Sequence, residues 1–417
     1  MWASTGNGSL QKSISSMKVD QNTIVIYDGN HHGHHPTYQK LIAKMLLENG
    51  YRVWLICSGV DEVVRWLQTN VNKDLLKRLV ARSALAVPGK NYWEKQLWAV
   101  RTWRYAARTV RRLEQAHSTQ PGLVLFLKLD DFTKGKGILN GSIIDYLFPY
   151  AWAGIYIHLR FPGKRKNNIV NRCFYQPFTF AKSKKLKAIG ILQEDAEKQL
   201  AGRVSKPIVV LPDFTDETAP TATELTERIK NTANGKKIIG LIGGQDRRKG
   251  SFLFFDIAKR CAQKNWLFVF AGKMNYPKSD RELAELQALI GDETKWENCF
   301  FHFERIPNES DFNAVIETCD ALFAVYRNFP FSSNLMTKAS VFHKPIVVCS
   351  GGLMETRVRQ YGIGTSCSPE DPDDCIRAIE SALSHPNPTE NYEHYAAKHS
   401  STRFLNLLQT IIHSAVG

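Results

Sequence analysis

The sequence lacks the features of secreted, membrane-spanning and disulfide-stabilised proteins. Its eight cysteines form no C-x-x-C pair, and several lie in apolar runs such as residues 55–57 and 347–349, which is typical of buried free thiols in a reducing compartment. No run approaches the ~20 apolar residues of a membrane span. Residues 1–21 contain no apolar stretch of the kind that a signal peptide needs. We therefore expect a cytoplasmic protein, either free or held at the cytoplasmic face of a membrane, with a disordered leader over 1–21.

Acidic residues are scarce in only one half of the chain. Residues 1–210 carry 32 Lys and Arg against 14 Asp and Glu, a net charge of +18, whereas residues 211–417 carry 23 against 26, a net charge of −3. A uniformly basic protein that coats nucleic acid would not concentrate all its excess charge in one half, so nucleic acid is not an expected partner. The basic half is expected to meet phosphate, an anionic lipid surface or an acidic substrate.

Apolar, β-branched runs alternate with helical stretches along most of the chain. Strands are expected at 23–27, 52–57, 123–127, 154–157 and 208–211, and again at 237–242, 267–271, 321–325 and 346–349. This alternation predicts an α/β protein with two Rossmann-like domains, each built on a parallel sheet. The expected divisions are a first domain over 22–212, a linker over 213–235, a second domain over 236–391, and a helical segment over 392–417 that packs back on the first domain.

Residues 71–113 form a strongly basic segment, with eleven Lys and Arg and two acids. At ~100° per residue, Val100, Trp103 and Val110 share one helical face. The opposite face carries arginines at positions 101, 104, 108, 111 and 112. One interpretation is a solvated surface helix. The other is a contact with an anionic membrane or an acidic acceptor, with tryptophans at headgroup level.

Three polar stretches follow predicted strands. Residues 29–35 (Gly-Asn-His-His-Gly-His-His) are expected to line a ligand cleft, because glycines before a helix let backbone N–H groups approach a phosphate or sugar. A plain turn is the alternative. No metal site is predicted, since a turn cannot easily aim four histidines at one ion and no carboxylate or Cys cluster accompanies them.

The other two stretches suit phosphate. Residues 241–250 place Arg248 and Lys249 between a glycine turn and a helix. The forked guanidinium of an arginine and the compact ammonium of a lysine together suit a diphosphate. Residues 326–335 end in Ser332, Ser333 and Asn334, whose hydroxyls and first free helix N–H groups could hold a phosphate or simply cap the helix.

These motifs, in this order, resemble those of GT-B glycosyltransferases, in particular the retaining glycosyltransferase family 4. The resemblance spans residues 23–412. In the second half it is carried by Gly-Gly-x(4)-Lys-Gly at 243–250 and by residues 268–272, 318–322, 344–348, 350–355 and 362–364. In the first half it is carried by Gly33-His34 and residues 49–53. It implies two Rossmann-like domains that face a central cleft.

The resemblance also implies a nucleotide-diphosphate sugar donor, bound mainly by the second domain, and no metal or other cofactor. Arg248 and Lys249 would neutralise the leaving diphosphate, and His158 would face the transferred sugar. The implied donor-binding residues are Gly33, Gly243, Gly244, Arg305, Ile306, Ser332, Ser333, Asn334, Leu335 and Glu355. The implied acceptor-binding residues are His34, Asp130 and Asp131.

Three positions depart from the family. Its pair of glutamates aligns with Pro330 and Lys338, and an arginine of the first phosphate loop falls on Gly244, so neither sugar nor nucleotide is implied. We predict a retaining glycosyltransferase that acts on an anionic or lipid-linked acceptor and contacts an anionic membrane through residues 71–113. The alternatives are a GT-B sugar-nucleotide epimerase, or a degenerate GT-B protein that binds sugar nucleotide or membrane without turnover.

Overall fold

A computed structural model of the chain describes residues 18–30, 35–84, 98–133, 140–159, 178–273, 279–385 and 387–416. The chain divides into two compact units, one of Met1–Leu211 with Leu405–Gly417 and the other of Pro212–Phe404. Most of the predicted leader lies outside the described residues, as do Gly33 and His34.

The first unit contains a seven-stranded sheet in the order β3-β2-β1-β4-β5-β6-β7, and each neighbouring pair is parallel. Its strands are β1 (Val19–Asp28), β2 (Arg52–Cys57), β3 (Leu79–Ser83), β4 (Gln120–Phe126), β5 (Trp152–Tyr156), β6 (Leu186–Ile191) and β7 (Ile208–Val210). In the centre, Ile24 of β1 is in register with Val53 of β2 and Leu123 of β4.

Helices connect these strands. They are α1 (His35–Glu48), α2 (Val60–Asn70), α3 (Lys73–Leu76), α4 (Trp98–His117), α5 (Asp130–Thr133), α6 (Gly141–Leu147) and α7 (Glu194–Ala201), with a 3₁₀ turn at Thr179–Lys182.

The second unit contains a six-stranded parallel sheet in the order β10-β9-β8-β11-β12-β13. Its strands are β8 (Lys237–Ile242), β9 (Trp266–Ala271), β10 (Cys299–His302), β11 (Ala321–Ala324), β12 (Ile346–Cys349) and β13 (Gly364–Cys367). Its helices are α8 (Glu224–Ala233), α9 (Ser251–Arg260), α10 (Ser279–Ile290), α11 (Glu309–Thr318), α12 (Asn334–Val341), α13 (Leu353–Tyr361), α14 (Pro372–Ser384) and α15 (Thr389–Lys398), with a 3₁₀ turn at Glu293–Lys295. The last helix, α16 (Ser401–Val416), runs on into residues of the first unit.

Apolar side chains cover both faces of the second sheet. Along β8, Ile238 and Ile242 pack in one core cluster and Ile239 and Leu241 pack in the other. A parallel sheet with helices on both sides buries both faces in this way, and its strands become continuous apolar runs. The prediction of an α/β chain with two doubly wound parallel sheets is confirmed.

Residues 213–235 pack within the second unit. Helix α8 occupies most of this segment, and Thr223 and Thr226 form a reciprocal capping box at its start. Ahead of it, the Phe214 ring lies 4.4 Å from that of Phe404.

Helix α4 has the amphipathic pattern expected from the sequence. Its apolar side, which includes Trp103 and Val110, is buried in the core of the first unit. The side chains exposed on the other side include Arg104, Arg108, Arg111 and Arg112. Trp103 is fully buried, so the expectation that this tryptophan lies at headgroup level is wrong.

Candidate active site

A glycine-rich loop follows β8 and sets the geometry of the site. Gly243 and Gly250 have positive φ angles of 101° and 89°, which favour glycine. A Cβ on Gly272, at the end of β9, would lie 2.1 Å from the Gly243 carbonyl oxygen. The two strand ends therefore touch through their backbones, which no larger residue at Gly272 would allow.

Buried polar groups hold this loop from beneath. Gln245 donates to the Leu241 carbonyl oxygen at 2.9 Å and accepts the Ser251 hydroxyl at 3.0 Å. The Lys249 backbone N–H donates to Asp246 at 2.5 Å. The shape of the loop is thus fixed by its own residues, and the side chains of Arg248 and Lys249 are not needed for it.

The two predicted cations lie beside the end of β11. The Arg248 guanidinium lies 5.2 Å from the centre of the Phe329 ring and 3.6 Å from the Asp246 carboxylate. The Lys249 ammonium donates to the Tyr326 hydroxyl at 3.0 Å. Within the described part of the chain, Lys249 forms no ion pair with a carboxylate.

Helix α12 begins next to these cations. Ser333 is its N-cap and accepts the Leu335 N–H at 3.4 Å, and its hydroxyl lies 3.3 Å from that of Tyr326. Because β8 and β11 are neighbours in the sheet, Lys249 and the start of α12 meet at one edge. A lysine and a positive helix end at one place create a local excess of positive charge, which suits an anion.

The other residues at this helix start are bonded within the second unit. The Ser332 hydroxyl donates to Asp213 at 2.8 Å and accepts from the buried Arg357 at 2.6 Å. The Asn334 amide nitrogen donates to the Phe214 carbonyl oxygen at 2.5 Å. These contacts fix where α12 begins.

Lys338 lies one turn further along α12 and is buried. Its ammonium donates to Asn313 at 2.6 Å, to Glu309 at 2.9 Å and to the Asp216 carbonyl oxygen at 3.1 Å. The residue at the second glutamate position of the family is therefore a structural cation in this chain.

The remaining predicted donor residues lie around the same sheet edge. Glu355 accepts the Gly351 N–H at 2.6 Å and the Ser366 hydroxyl at 2.9 Å. The Gly351 N–H, together with Ser366 and the nearby Arg359, lowers the pKa of its carboxyl group. Beyond β10, Arg305 is exposed and Ile306 is half-buried against the core.

In the first unit, a buried carboxylate organises the end of β1. Asp28 accepts hydrogen bonds from His35 at 2.8 Å, from Gln39 at 2.9 Å and from the Asn30 backbone N–H at 3.0 Å. The Asn30 amide in turn donates to Asp131 at 2.5 Å. The ends of β1 and β4 are thus joined by polar contacts.

Asp130 supports the backbone that carries His158. Its carboxylate accepts the Ile157 N–H at 3.0 Å and the His158 N–H at 3.2 Å. Burial raises the pKa of this carboxyl group, although the two N–H groups favour its charged form. Asp130 therefore holds the backbone of His158 in place. Its contact with an acceptor stays a separate prediction.

Two structural features bear on metal binding and on the membrane. In the ranges that the structure describes, no three His, Cys, Asp or Glu side chains group as metal ligands would. None of the helices described is both long and apolar enough to cross a bilayer.

Residues 223–399 match the protein family described as glycosyl transferases group 1. This stretch contains the loop after β8, both cations and the start of α12. It is a glycosyltransferase domain. A comparison with curated proteins gave no significant match.

Solved structures similar to this chain extend the likeness to both units. A glycosyltransferase from Rickettsia africae has a TM-score of 0.68 at 12% identity, with 96% of this chain and 99% of that chain covered. HepE from Anabaena, solved with UDP and glucose, has a TM-score of 0.61 at 12% identity, with 94% and 99% covered. WaaG, a glycosyltransferase of lipopolysaccharide biosynthesis, has a TM-score of 0.57 at 12% identity, with 95% and 99% covered. The predicted GT-B fold and glycosyltransferase class are confirmed.

Several residues that the structure brings to these edges were not predicted from the sequence. The most informative are Tyr326, which contacts Lys249, and Asp28, which joins His35 and Gln39. A Tyr directly after a predicted strand and an Asp at a strand end are the sequence features that could have indicated them. The roles of the predicted site residues stay predictions.

Proposed function

We propose that the protein transfers a sugar from a nucleotide-diphosphate sugar to an acceptor hydroxyl. One observation carries the proposal: Lys249, without a carboxylate partner among the described residues, lies beside the Tyr326 and Ser333 hydroxyls at the start of α12. A diphosphate would supply the charge that this arrangement lacks. HepE, which has the same fold, was solved with UDP and glucose, and this supports a nucleotide-sugar donor.

In the proposed mechanism, the second unit stabilises the leaving group. As the bond between the sugar and the diphosphate breaks, negative charge builds up on the phosphate oxygens. Arg248, Lys249 and the first N–H groups of α12 would favour that charge more strongly than the charge of the bound donor. We propose that these groups act without a metal ion.

We also propose that the reaction retains the configuration of the sugar, in line with the resemblance to family 4. His158 is proposed to hydrogen-bond the transferred sugar, and Asp130 to hold the backbone of His158 in place. Asp131 and His34 are proposed to bind acceptor hydroxyls.

Lys249→Ala tests the donor assignment. We expect the kcat/KM for release of nucleotide diphosphate to fall by about 100-fold, because a charge that stabilises the transition state is lost. The measurement is nucleotide release from a panel of nucleotide sugars, with and without EDTA. Lys259→Ala removes an exposed lysine of α9 that pairs with Asp256, and serves as the matched control.

The outcomes of this assay separate the alternatives. If Lys249→Ala leaves the kinetics unchanged, the assignment of Lys249 to the diphosphate is refuted. If activity is lost in EDTA, metal independence is contradicted. Thermal stabilisation by a nucleotide sugar without release would favour a binding protein. Interconversion of donor epimers without acceptor would favour an epimerase.

For the acceptor, we propose an anionic or lipid-linked molecule at a membrane face. The exposed arginines of α4 support this proposal, because the acid on that helix, Glu114, is buried and bonded to the Tyr150 hydroxyl at 2.6 Å. The exposed face of α4 is therefore rich in cations and holds no exposed acid, and anionic headgroups would neutralise its charge.

A further inference from the structure

The Lys249 ammonium is held in one place before any ligand binds. It lies 3.0 Å from the Tyr326 hydroxyl oxygen and 4.2 Å from the centre of the Tyr326 ring. Tyr326 is 2% exposed, and its hydroxyl also lies 3.3 Å from that of Ser333. A lysine otherwise rotates freely about four side-chain bonds, so these contacts restrict a group that would have to be ordered on binding.

The backbone around Tyr326 is equally constrained. Its N–H donates to the Ala324 carbonyl oxygen at 3.0 Å, and the next N–H, of Arg327, donates to the Arg248 carbonyl oxygen at 2.8 Å. The loop after β8 and the loop after β11 are therefore joined at this point. The backbone of Tyr326 cannot move away from Lys249 without breaking these contacts, and its side chain is packed in the core of the second unit.

The position of the ammonium is unfavourable without an anion. It lies beside the N-terminus of α12, where the helix dipole is positive, and no described carboxylate forms an ion pair with it. The Tyr326 hydroxyl accepts from the ammonium, and the electron-rich face of its ring attracts the same cation. These two contacts keep the cation where repulsion from the helix end would otherwise displace it.

We propose that Tyr326 is a positioning residue that holds Lys249 ready for the diphosphate of the donor. This inference rests on the proposed function, and it adds a residue that acts through Lys249. Because the lysine is already ordered, less entropy is lost when the diphosphate binds, and affinity is higher. Removal of the hydroxyl alone would keep the ring and the fold but remove the hydrogen bond that holds the ammonium.

A double-mutant cycle on nucleoside diphosphate affinity tests the proposal. UDP, ADP and GDP are titrated by calorimetry into the full-length protein, Tyr326→Phe, Lys249→Ala and the double variant. We expect Tyr326→Phe to raise the Kd of the nucleotide that binds by about tenfold, the scale of one hydrogen bond to a charged group. In the Lys249→Ala background, we expect the same change to leave the Kd nearly unchanged.

The matched control is Tyr392→Phe. This buried tyrosine of the second unit accepts from Asn387 at 2.8 Å, so the same atom is removed at another place. We expect it to leave the Kd unchanged. Equal melting temperatures for the two Phe variants would show that any difference in affinity is not a difference in folding.

Three results overturn the inference. If Tyr326→Phe raises the Kd by the same factor with Lys249 present and with Lys249→Ala, then Tyr326 has only a structural role. Tyr326→Phe that binds as tightly as the unchanged protein, while Lys249→Ala binds more weakly, would refute the positioning role and leave the proposed donor class intact. A protein that binds none of the three nucleotides would refute both.

Discussion

At the scale of single residues, Lys338 is a buried cation that its neighbours must compensate. Its side chain is 5% exposed, and its three hydrogen-bond acceptors lie on α11 and on the segment before α8. A buried cation of this kind is stable only because its acceptors are aimed at it. The family's glutamate could not occupy the same place without facing Glu309.

Lys338→Met is therefore expected to lower the free energy of unfolding by about 3 kcal/mol, because Glu309 and Asn313 lose their donor while remaining partly buried. Lys338→Glu, which restores the family's residue, should cost more through repulsion from Glu309. The measurement is chemical denaturation followed by circular dichroism. Lys259→Met on exposed α9 is the control and should cost under about 0.5 kcal/mol. Equal losses at both positions would contradict the buried network.

Contacts of single residues also show what could and could not be predicted from the sequence. The glycines of 243–250 and the N-cap serines can be predicted, because their residue types are required by local backbone geometry. The contact between Lys249 and Tyr326 joins residues 77 positions apart, and that between Lys338 and Asp216 spans 122. Such contacts depend on strand order, which one sequence does not specify.

At the scale of elements, the ends of β8 and β9 form the base of the candidate donor site. Gly272 has a φ of 134°, and a Cβ there would lie 2.1 Å from the Gly243 carbonyl oxygen. Gly235 also has a positive φ, of 84°, but nothing lies within 4 Å of its Cβ position. A side chain at either position meets an unfavourable backbone angle, and only at Gly272 does its Cβ also overlap a neighbouring backbone.

Gly272→Ala is expected to destabilise the protein by more than about 3 kcal/mol, since two strand ends must separate to admit the methyl group. Gly235→Ala should cost about 1 kcal/mol, the strain of a left-handed backbone alone. Midpoints of urea unfolding for the two variants give the comparison. If Gly272→Ala proved no worse than Gly235→Ala, the close approach of β8 and β9 would be refuted.

Elements were predicted best where both of their faces are buried. Strands β8 and β12 match the expected residues 237–242 and 346–349 because they are continuous apolar runs. Strands β3, β6, β10 and β13 were not predicted. Three of them lie at sheet edges, where Leu79–Ser83 and Gly364–Cys367 mix polar and apolar residues and show no apolar run. The fourth, β6, lies inside the first sheet, but its apolar run is interrupted by Lys187 and Gly190.

At the scale of the whole molecule, the excess of positive charge is the dominant feature. Residues 1–210 carry a net charge of +18 while residues 211–417 carry −3. This division is readable from the sequence, but which arginines face solvent is not. The structure exposes Arg104, Arg108, Arg111 and Arg112 on one helix whose other face is core. Four cations on one face suit a planar anionic surface.

Replacement of these four arginines by Gln should abolish flotation with vesicles that contain anionic phospholipid. Each basic residue near such a surface contributes about 1 kcal/mol, and this attraction weakens as salt is added. The matched control removes the same charge from the second unit through Lys230→Gln, Lys237→Gln, Lys259→Gln and Lys295→Gln, all at exposed positions. It should float like the unchanged protein with anionic vesicles, and neither should float with neutral ones. Equal losses in the two quadruple variants would mean that net charge drives binding, and an unchanged protein that ignores anionic vesicles would refute the membrane contact.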